Sequence, residues 1–547
     1  MFEVSFLGKK QTFDKKIRLG DLLTNKEKDK YYVAKVNNAL RELNYEFAYN
    51  AKVEFLTAAD YDVSRVYEAS LRYLISMAAF ELDPTMQLSF DYSVSRALYC
   101  EIRKSEKKVD TAFLEALQKK VLQLVKQDYP IKRITVTKDK ALAIYDQFHF
   151  YDKVEVLKYR ENDFVHLYEC NGYYNYMYSL MVNRTGVLNK FKFRLYNPGF
   201  IIQFPRSESE GLIPEFVDDV QFGRTLREEK SWIQIVGAET IAEINAYKKE
   251  RRLSDFVNMC ETRHSNMIAE LGVIIKSQME NLRLICVAGP SSSGKTTFTN
   301  RLRIELLTRG IKPFLVSIDD YYKPKAEAPK DEFGQPDLEH LHALDVELFN
   351  SDLQKLISGE EVSLPRFDFK LGKRSFRTPV KVSEEMPILI EGIHALNEEL
   401  TSYIPHHQKY KIYISPHPQY HIDYHNPISI TDIRLLRRIV RDKEYRNTVP
   451  ADTLRMWPSV RRGEFKWIYP NQETSDYVFN SELTYEIGIL KKYALEALEA
   501  ISRDHEFYIT ANRLVKFLRY FEDIDDKFVP ANSLLKEFIG GSSFYYD

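Results

Sequence analysis

The sequence is short of several things, and each shortage narrows the reading. It has four cysteines in 547 residues, Cys100, Cys170, Cys260 and Cys286, with no C-x-x-C among them. That argues against a disulfide framework or a zinc ribbon and fits a reducing compartment, so a cytoplasmic location is expected. No run of about 18 apolar residues occurs, so no membrane-spanning helix is expected. The opening MFEVSFLGKK becomes charged too early for a signal peptide. A formal net charge of −1 leaves no global basic field for nucleic acid, only room for a local patch. Histidine is scarce at the front: only His149 and His166 precede His264. There is no internal repeat and no low-complexity tract. What is present is 44% hydrophobic residues, enough for packed cores. The length exceeds one core and suggests about three or four domains.

The patterning divides the chain. MFEVSFL, YYVAKVNNAL and AKVEFLT read as strands of a small β-rich unit over 1–58. Residues 59–225 begin with a helix, where Val63, Val66, Leu71, Leu74 and Ile75 have helical spacing. From about 133 to 205 the pattern reads as strands rich in Tyr, Phe and Val, with tyrosines that serve sheet and core. A helical connector is expected over 226–280. From 281 to 498, LRLICVA, PFLVSID, PILIEG, KYKIYIS and SDYVFNS alternate with helical stretches. This predicts an α/β domain with a parallel sheet and helices on both faces, behind an α+β front half. A helical tail over 499–547 follows, with a cap at Asn532-Ser533 before LLKEFI.

Gly289-Pro-Ser291-Ser292-Ser293-Gly294-Lys295-Thr296 fits G-x-x-x-x-G-K-[ST]. It lies between an apolar run and a helix-spaced stretch, as a phosphate-binding loop requires. The backbone N–H groups through Thr297 would wrap two phosphates of ATP. Lys295 would reach the β- and γ-phosphates, and the Thr296 hydroxyl would ligate Mg²⁺. Two further strands end in acids, at Ser317-Ile-Asp319-Asp320 and at Ile388-Leu-Ile-Glu391. In a doubly wound sheet ligands bind beyond the carboxyl ends of the strands. Thr296, Asp319 and Glu391 are thus the candidate Mg²⁺ ligands, directly or through water. The plainer alternative is that these acids only cap the following loops. In Thr431-Asp-Ile-Arg434-Leu-Leu-Arg437-Arg438-Ile-Val-Arg441-Asp442-Lys-Glu-Tyr-Arg446, Arg434, Arg438 and Arg441 share a stripe. It is either a solvated face or a lid that neutralises a transferring phosphoryl group.

With GPSSSGKTT, SIDDYY, LEHLHALD, LPRFDFKLGKR, ILIEGI and DIRLLRRIVRD in this order, residues 284 to about 480 resemble the uridine/cytidine kinases, with phosphoribulokinase as a cousin. The resemblance implies roles. Asp319 would be the base for the ribose 5′-hydroxyl, and Lys295, Arg438 and Arg441 would act in catalysis. Arg446 would bind ATP. Tyr322, Glu339, Phe367, Phe369 and Arg438 would bind the nucleoside. The family's base-reading histidine is replaced at Gly372, and its base-reading glutamine is missing from Thr453-Leu-Arg-Met456-Trp457. Base choice is therefore expected to be loose.

Residues 1–57 resemble a TGS domain, and 60 to about 205 resemble the second additional domain of threonyl-tRNA synthetases. That domain's zinc-type ligands are absent. The first His pair is replaced around Tyr67 and Leu71, and Cys170 remains without its histidine, where Tyr174 stands. The front half is therefore expected to bind or scaffold. Three readings stay open: a nucleoside kinase, a kinase of another hydroxylated metabolite, and an RNA-binding regulator with a nucleotide switch. RNA binding by the front half and homo-oligomerisation also stay open.

Overall fold

In Phe2–Phe6, alternation buries Phe2, Val4 and Phe6 and turns Glu3 outward. This strand belongs to a five-stranded mixed sheet in a computed structural model that describes residues 1–103, 108–160, 162–218, 220–324, 326–332, 334–368, 371–383 and 385–544. Phe2–Phe6 pairs in parallel with Ala51–Leu56, which pairs in turn with Val33–Val36. YYVAKVNNAL resolves into a hairpin, because Asn37 and Asn38 both take positive φ, as a tight turn needs.

Helix α1 (Tyr61–Leu82) follows and is buried on most sides. It packs against the helix Thr111–Gln127 and beside a four-stranded antiparallel sheet. The expectation of strands throughout 133–205 is corrected here. Helices Lys138–Gln147 and Tyr151–Leu157 interrupt them. The Thr137 hydroxyl caps the first of these by accepting from the Lys140 N–H at 3.4 Å, and Ala141, Ile144 and Tyr145 make its buried face. The β-propensity of the tyrosines and phenylalanines hid that spacing. Tyr168 and Tyr173 are core residues. The connector consists of helices Val220–Val236, Ile241–Lys249 and Leu253–Ser277. Arg251 at φ 60° breaks it, and a Thr240–Glu243 capping box starts its middle helix.

The C-terminal half is built on β1 (Leu284–Ala288), β2 (Phe314–Ser317), β3 (Ile388–Glu391), β4 (Lys409–Ser415) and β5 (Tyr477–Asn480). All pair in parallel, in the order β2-β3-β1-β4-β5. The central strand β1 is buried at every residue, which is why it reads as an unbroken apolar run. Helix α2 (Lys295–Thr308) follows β1, α3 (Ile430–Arg446) and α4 (Pro450–Gly463) follow β4, and α5 (Glu486–Glu499) follows β5.

The connection from β4 to α3 inserts into the front half. Its Asp423 pairs with Lys153 at 2.5 Å, both at most 2% exposed. Tyr424 accepts from the Phe90 N–H at 2.9 Å, and the His425 carbonyl accepts from Arg72. The two halves thus share a buried polar seam. Among the described residues, no helix is long and apolar enough to cross a membrane.

Candidate active site

The loop between β1 and α2 is fixed by two glycines for different reasons. A Cβ on Gly289 would lie 2.0 Å from the Ile414 carbonyl oxygen on β4, so only glycine allows that approach. Gly294 sits at φ 91°, a left-handed conformation that starts α2. The Ser292 and Ser293 hydroxyls are buried without a hydrogen-bond partner, and Lys295 Nζ rests on the Pro290 carbonyl at 3.3 Å. At the N-terminus of α2 the Thr297 N–H donates to Glu537 Oε2 at 2.9 Å. A carboxylate from the chain's last helical turn, Lys536–Ile539, thus sits where a helix N-terminus favours an anion.

Helix α3 holds the loop from behind. Arg434 donates to the Ser291 carbonyl at 3.1 and 3.2 Å and pairs with Glu464. Arg437 donates to the Ser293 carbonyl at 3.4 Å and pairs with Glu486 at 2.5 Å. Both arginines are fully buried. The stripe predicted for Arg434, Arg438 and Arg441 therefore divides: Arg434 is a buttress, while Arg438 reaches the Ser291 hydroxyl at 2.8 Å. Asp442 gathers Arg441 at 2.8 Å, Arg438 at 3.3 Å and Arg446 at 3.7 Å. Arg441 and burial pull the Arg446 guanidinium down to about 10, the mark of crowded cations with anion capacity to spare.

The acidic pair after β2 also divides. Asp320 accepts from the Phe367 N–H at 3.1 Å and from Arg377 at 2.9 Å, so it ties down the hairpin Pro365–Asp368/Lys373–Phe376. Burial raises Asp319 above the usual carboxylate range, against the pull of Lys295, Arg446 and Arg441. Glu391 accepts from the Ser317 hydroxyl at 3.0 Å. Burial first, and then Asp319, push it up to about 7. The two carboxylates crowd each other beside Lys295, a hard-oxygen pair of the kind that suits Mg²⁺, which completes its shell with water.

Beside this hairpin, the Tyr322 and Phe367 rings stand 6.0 Å apart, tilted by 53°. Burial pushes Glu339 up to about 7, and its Oε2 is buried without a hydrogen-bond partner. Glu339 presses against Gly463 on α4, where an added Cβ would come within 2.2 Å of its own Cβ. Arg374 is committed to Asp345 at 2.9 Å and to the Tyr321 and Tyr322 carbonyls at 3.0 Å. Gly372, at φ 63°, turns the hairpin into open space. Met456 is 42% exposed. Phe369 lies outside the described residues.

Sequence reasoning missed Arg437, Glu464, Glu486 and Glu537 as neighbours of the loop. Their partners are far along the chain, and the one legible signal was the density of arginine on α3. In the front half, it is Tyr73, further along α1 than Tyr67, that lies beside the Cys170 hairpin and donates to the Tyr173 carbonyl at 2.8 Å. Tyr67 donates to the Lys190 carbonyl at 3.0 Å, and Leu71 is core. Burial pushes the Cys170 thiol up to about 12. Among the described residues, no group of three or more His, Cys, Asp or Glu forms a metal site.

Residues 284–487 match the model of the Phosphoribulokinase / Uridine kinase family. The uridine kinase of Borrelia duttonii (strain Ly) is 29% identical over 198 residues, which is 36% of this chain and 85% of that protein. That of Chlamydia pneumoniae is 27% identical over 237 residues, 42% of this chain and 98% of that protein. The solved structure of a possible uridine kinase from Bacillus stearothermophilus is 19% identical, with a TM-score of 0.27, over 40% of this chain and 98% of that one. Residues 284–487, which hold the phosphate loop and the five-stranded parallel sheet, are thus the part of the chain that is similar to the phosphoribulokinase/uridine kinase family.

Proposed function

We propose that the protein is an ATP-dependent nucleoside kinase that phosphorylates the 5′-hydroxyl of a ribonucleoside. The observation that carries this reading is the buried, unpartnered carboxylate oxygen of Glu339 beside the phosphate loop. An unmade hydrogen bond there costs roughly 1–3 kcal/mol, which a pair of donor hydroxyls on a ribose would recover. Tyr322 and Phe367 supply aromatic faces for a base of any identity. Asp319, held above the usual carboxylate range by burial, is suited to accept the 5′-hydroxyl proton during in-line attack. Lys295, Arg438, Arg441 and Arg446 would neutralise the charge on the transferring group. Thr296, Asp319 and Glu391 would hold Mg²⁺, which when bound offsets phosphate charge.

A phosphorylated acceptor, as in a phosphoribulokinase, needs a spare cation beside the hairpin. Arg374 and Arg377 are already committed to Asp345 and Asp320, and Arg366 and Lys373 face solvent. That favours an uncharged acceptor. The front half, with its TGS-like and synthetase-like resemblances, is proposed as a binding or scaffolding module. Four free, buried cysteines agree with a cytoplasmic location. Incubation with ATP and a panel of uridine, cytidine, inosine, guanosine and ribulose 5-phosphate, with product identification, tests the assignment. Transfer only to ribulose 5-phosphate would overturn it, and so would ATP binding with no acceptor at all.

A further inference from the structure

A cavity of about 610 Å³ lies between the front half and the kinase half. One wall comes from α1, through Arg65 and Arg72, and from the strand holding Ser93. The other comes from the end of β4, at Tyr413, and from Arg461 on α4. None of the phosphate-loop residues lines it, nor do Asp319, Glu339, Glu391 or Arg438. It is therefore separate from the candidate active site. Its volume falls within the roughly 300–1,000 Å³ of small-molecule sites.

Its walls carry buried polar groups with no partner. Neither ring nitrogen of His417 has one, at 4% exposure. Burial pulls His417 down to about 3, so its ring is neutral and offers one donor and one acceptor. Buried groups left unsatisfied call for an explanation, and a missing ligand is one.

The charge on the wall that faces α3 and α4 favours an anion. Arg65 and Arg513 share the single carboxylate of Asp432, and Arg434 and Arg461 share that of Glu464. Each cluster keeps one positive charge in excess. On the opposite wall Glu68 lies between Arg72 at 3.5 Å and Arg206 at 3.9 Å, Glu208 also takes Arg206 at 3.0 Å, and Asp91 and Glu101 share Lys230. Glu215 and Glu473 are exposed residues of the lining. The guanidiniums lie over aromatic faces, Arg461 at 4.7 Å from the Phe465 ring centre and Arg206 at 5.2 Å from that of Phe204. Guanidinium planes stack on planar rings and also pair with anionic groups.

We propose that this cavity is a second ligand site, for a nucleoside monophosphate, and that its occupancy is coupled to the phosphate loop. The path of coupling is short. Arg461 donates to Glu464 at 2.5 Å and to the Tyr469 hydroxyl at 2.7 Å. Glu464 pairs with Arg434, whose Nη2 donates to the Ser291 carbonyl of the loop at 3.1 Å. An anion that draws on Arg461 alters its share of Glu464, and so the seating of Ser291. By linkage, ATP alters the affinity of the cavity to the same degree.

Equilibrium dialysis of uridine 5′-monophosphate with the full-length protein tests this. The cavity itself does not rest on the nucleoside-kinase reading, but a second equivalent bound at the active site does. The expected result is two equivalents per chain. One should be lost in each cavity-filling variant, Ser93→Trp and Ser179→Phe, with unchanged melting temperature in at least one of them. The other should be lost in Glu339→Ala. Retention of the cavity equivalent without the active-site one would uphold the cavity and count against the kinase reading. Loss of all binding in Glu339→Ala, or none in a folded cavity-filling variant, would overturn the second site. So would a cavity equivalent that ATP leaves at the same affinity.

Discussion

The contact between Glu537 and the Thr297 N–H sets a measurable tax on nucleotide binding. A phosphate can use that N–H only after the carboxylate leaves it, and the two anions also repel each other. A hydrogen bond to a charged group contributes roughly 1.5–3 kcal/mol, and a carboxylate at a helix N-terminus about 0.3–2 kcal/mol. The exposed part of the Glu537 side chain recovers some of this in water. Glu537→Ala should therefore tighten ATP by about 1–2 kcal/mol, a fall of roughly 5–30-fold in Kd. Glu537→Gln keeps the shape and loses the charge, so its effect should be smaller and of the same sign. Phe538 and Leu535 are buried and keep the segment docked in both variants. The assay is ATP binding by equilibrium dialysis, together with KM for ATP at saturating acceptor. An unchanged or weakened affinity in Glu537→Ala would refute the reasoning, because the carboxylate would then either stand clear of the nucleotide or help to hold it.

Other outcomes follow from the same geometry. Asp319→Asn should lower kcat about 10²–10⁴-fold with ATP binding largely kept, read by steady-state kinetics beside dialysis. Deoxyribonucleosides should lose kcat/KM by up to about 10⁴-fold against their ribose forms, while the bases differ less among themselves. Equal rates on both sugars would remove Glu339 from the hydroxyl site. Glu339 has a folded pKa raised to about 7 from an ordinary 4.5, so its stabilising contribution is full below 4.5 and lost as pH rises through 7. Glu339→Gln should accordingly stabilise the fold at pH 8 by about 1–3 kcal/mol and change it little at pH 4.5, by denaturant melts at the two pH values. Metal analysis of the full-length protein should find no stoichiometric zinc.

Local features of the site could be read directly from the chain. The phosphate loop is contiguous, and strands buried on both faces announce themselves as apolar runs, as Leu284–Ala288 does. Distant pairings could not be read. Nothing in Asp319-Asp320 says which acid meets an acceptor, because Asp320's engagement with Phe367 and Arg377 depends on where a later hairpin folds. Arg434 and Arg438 share one helical stripe, yet Arg434 is buried against Glu464 and holds the Ser291 carbonyl while Arg438 reaches the Ser291 hydroxyl, since the packing beside α4 decides it. Helix Lys138–Gln147 was hidden by the aromatic stretch that follows it, Phe148, Phe150 and Tyr151, although its own Ala141, Leu142 and Ala143 favour helix and Thr137 caps it. Glu537 lay in an inconspicuous final helical turn.

The seam around Asp423 bears on how the chain is made. The ribosome finishes the front half first, including Lys153, Arg72 and the Phe90 strand, but the loop that fills their groove comes about 190 residues after the end of the helix at Val236. At roughly 5–20 residues per second this is a wait of about 10–40 s with the groove open. The nascent front half must hold its lysine hydrated until Asp423 arrives. A gene cut near residue 280 would then yield two chains that need each other at this loop, and not two independent proteins.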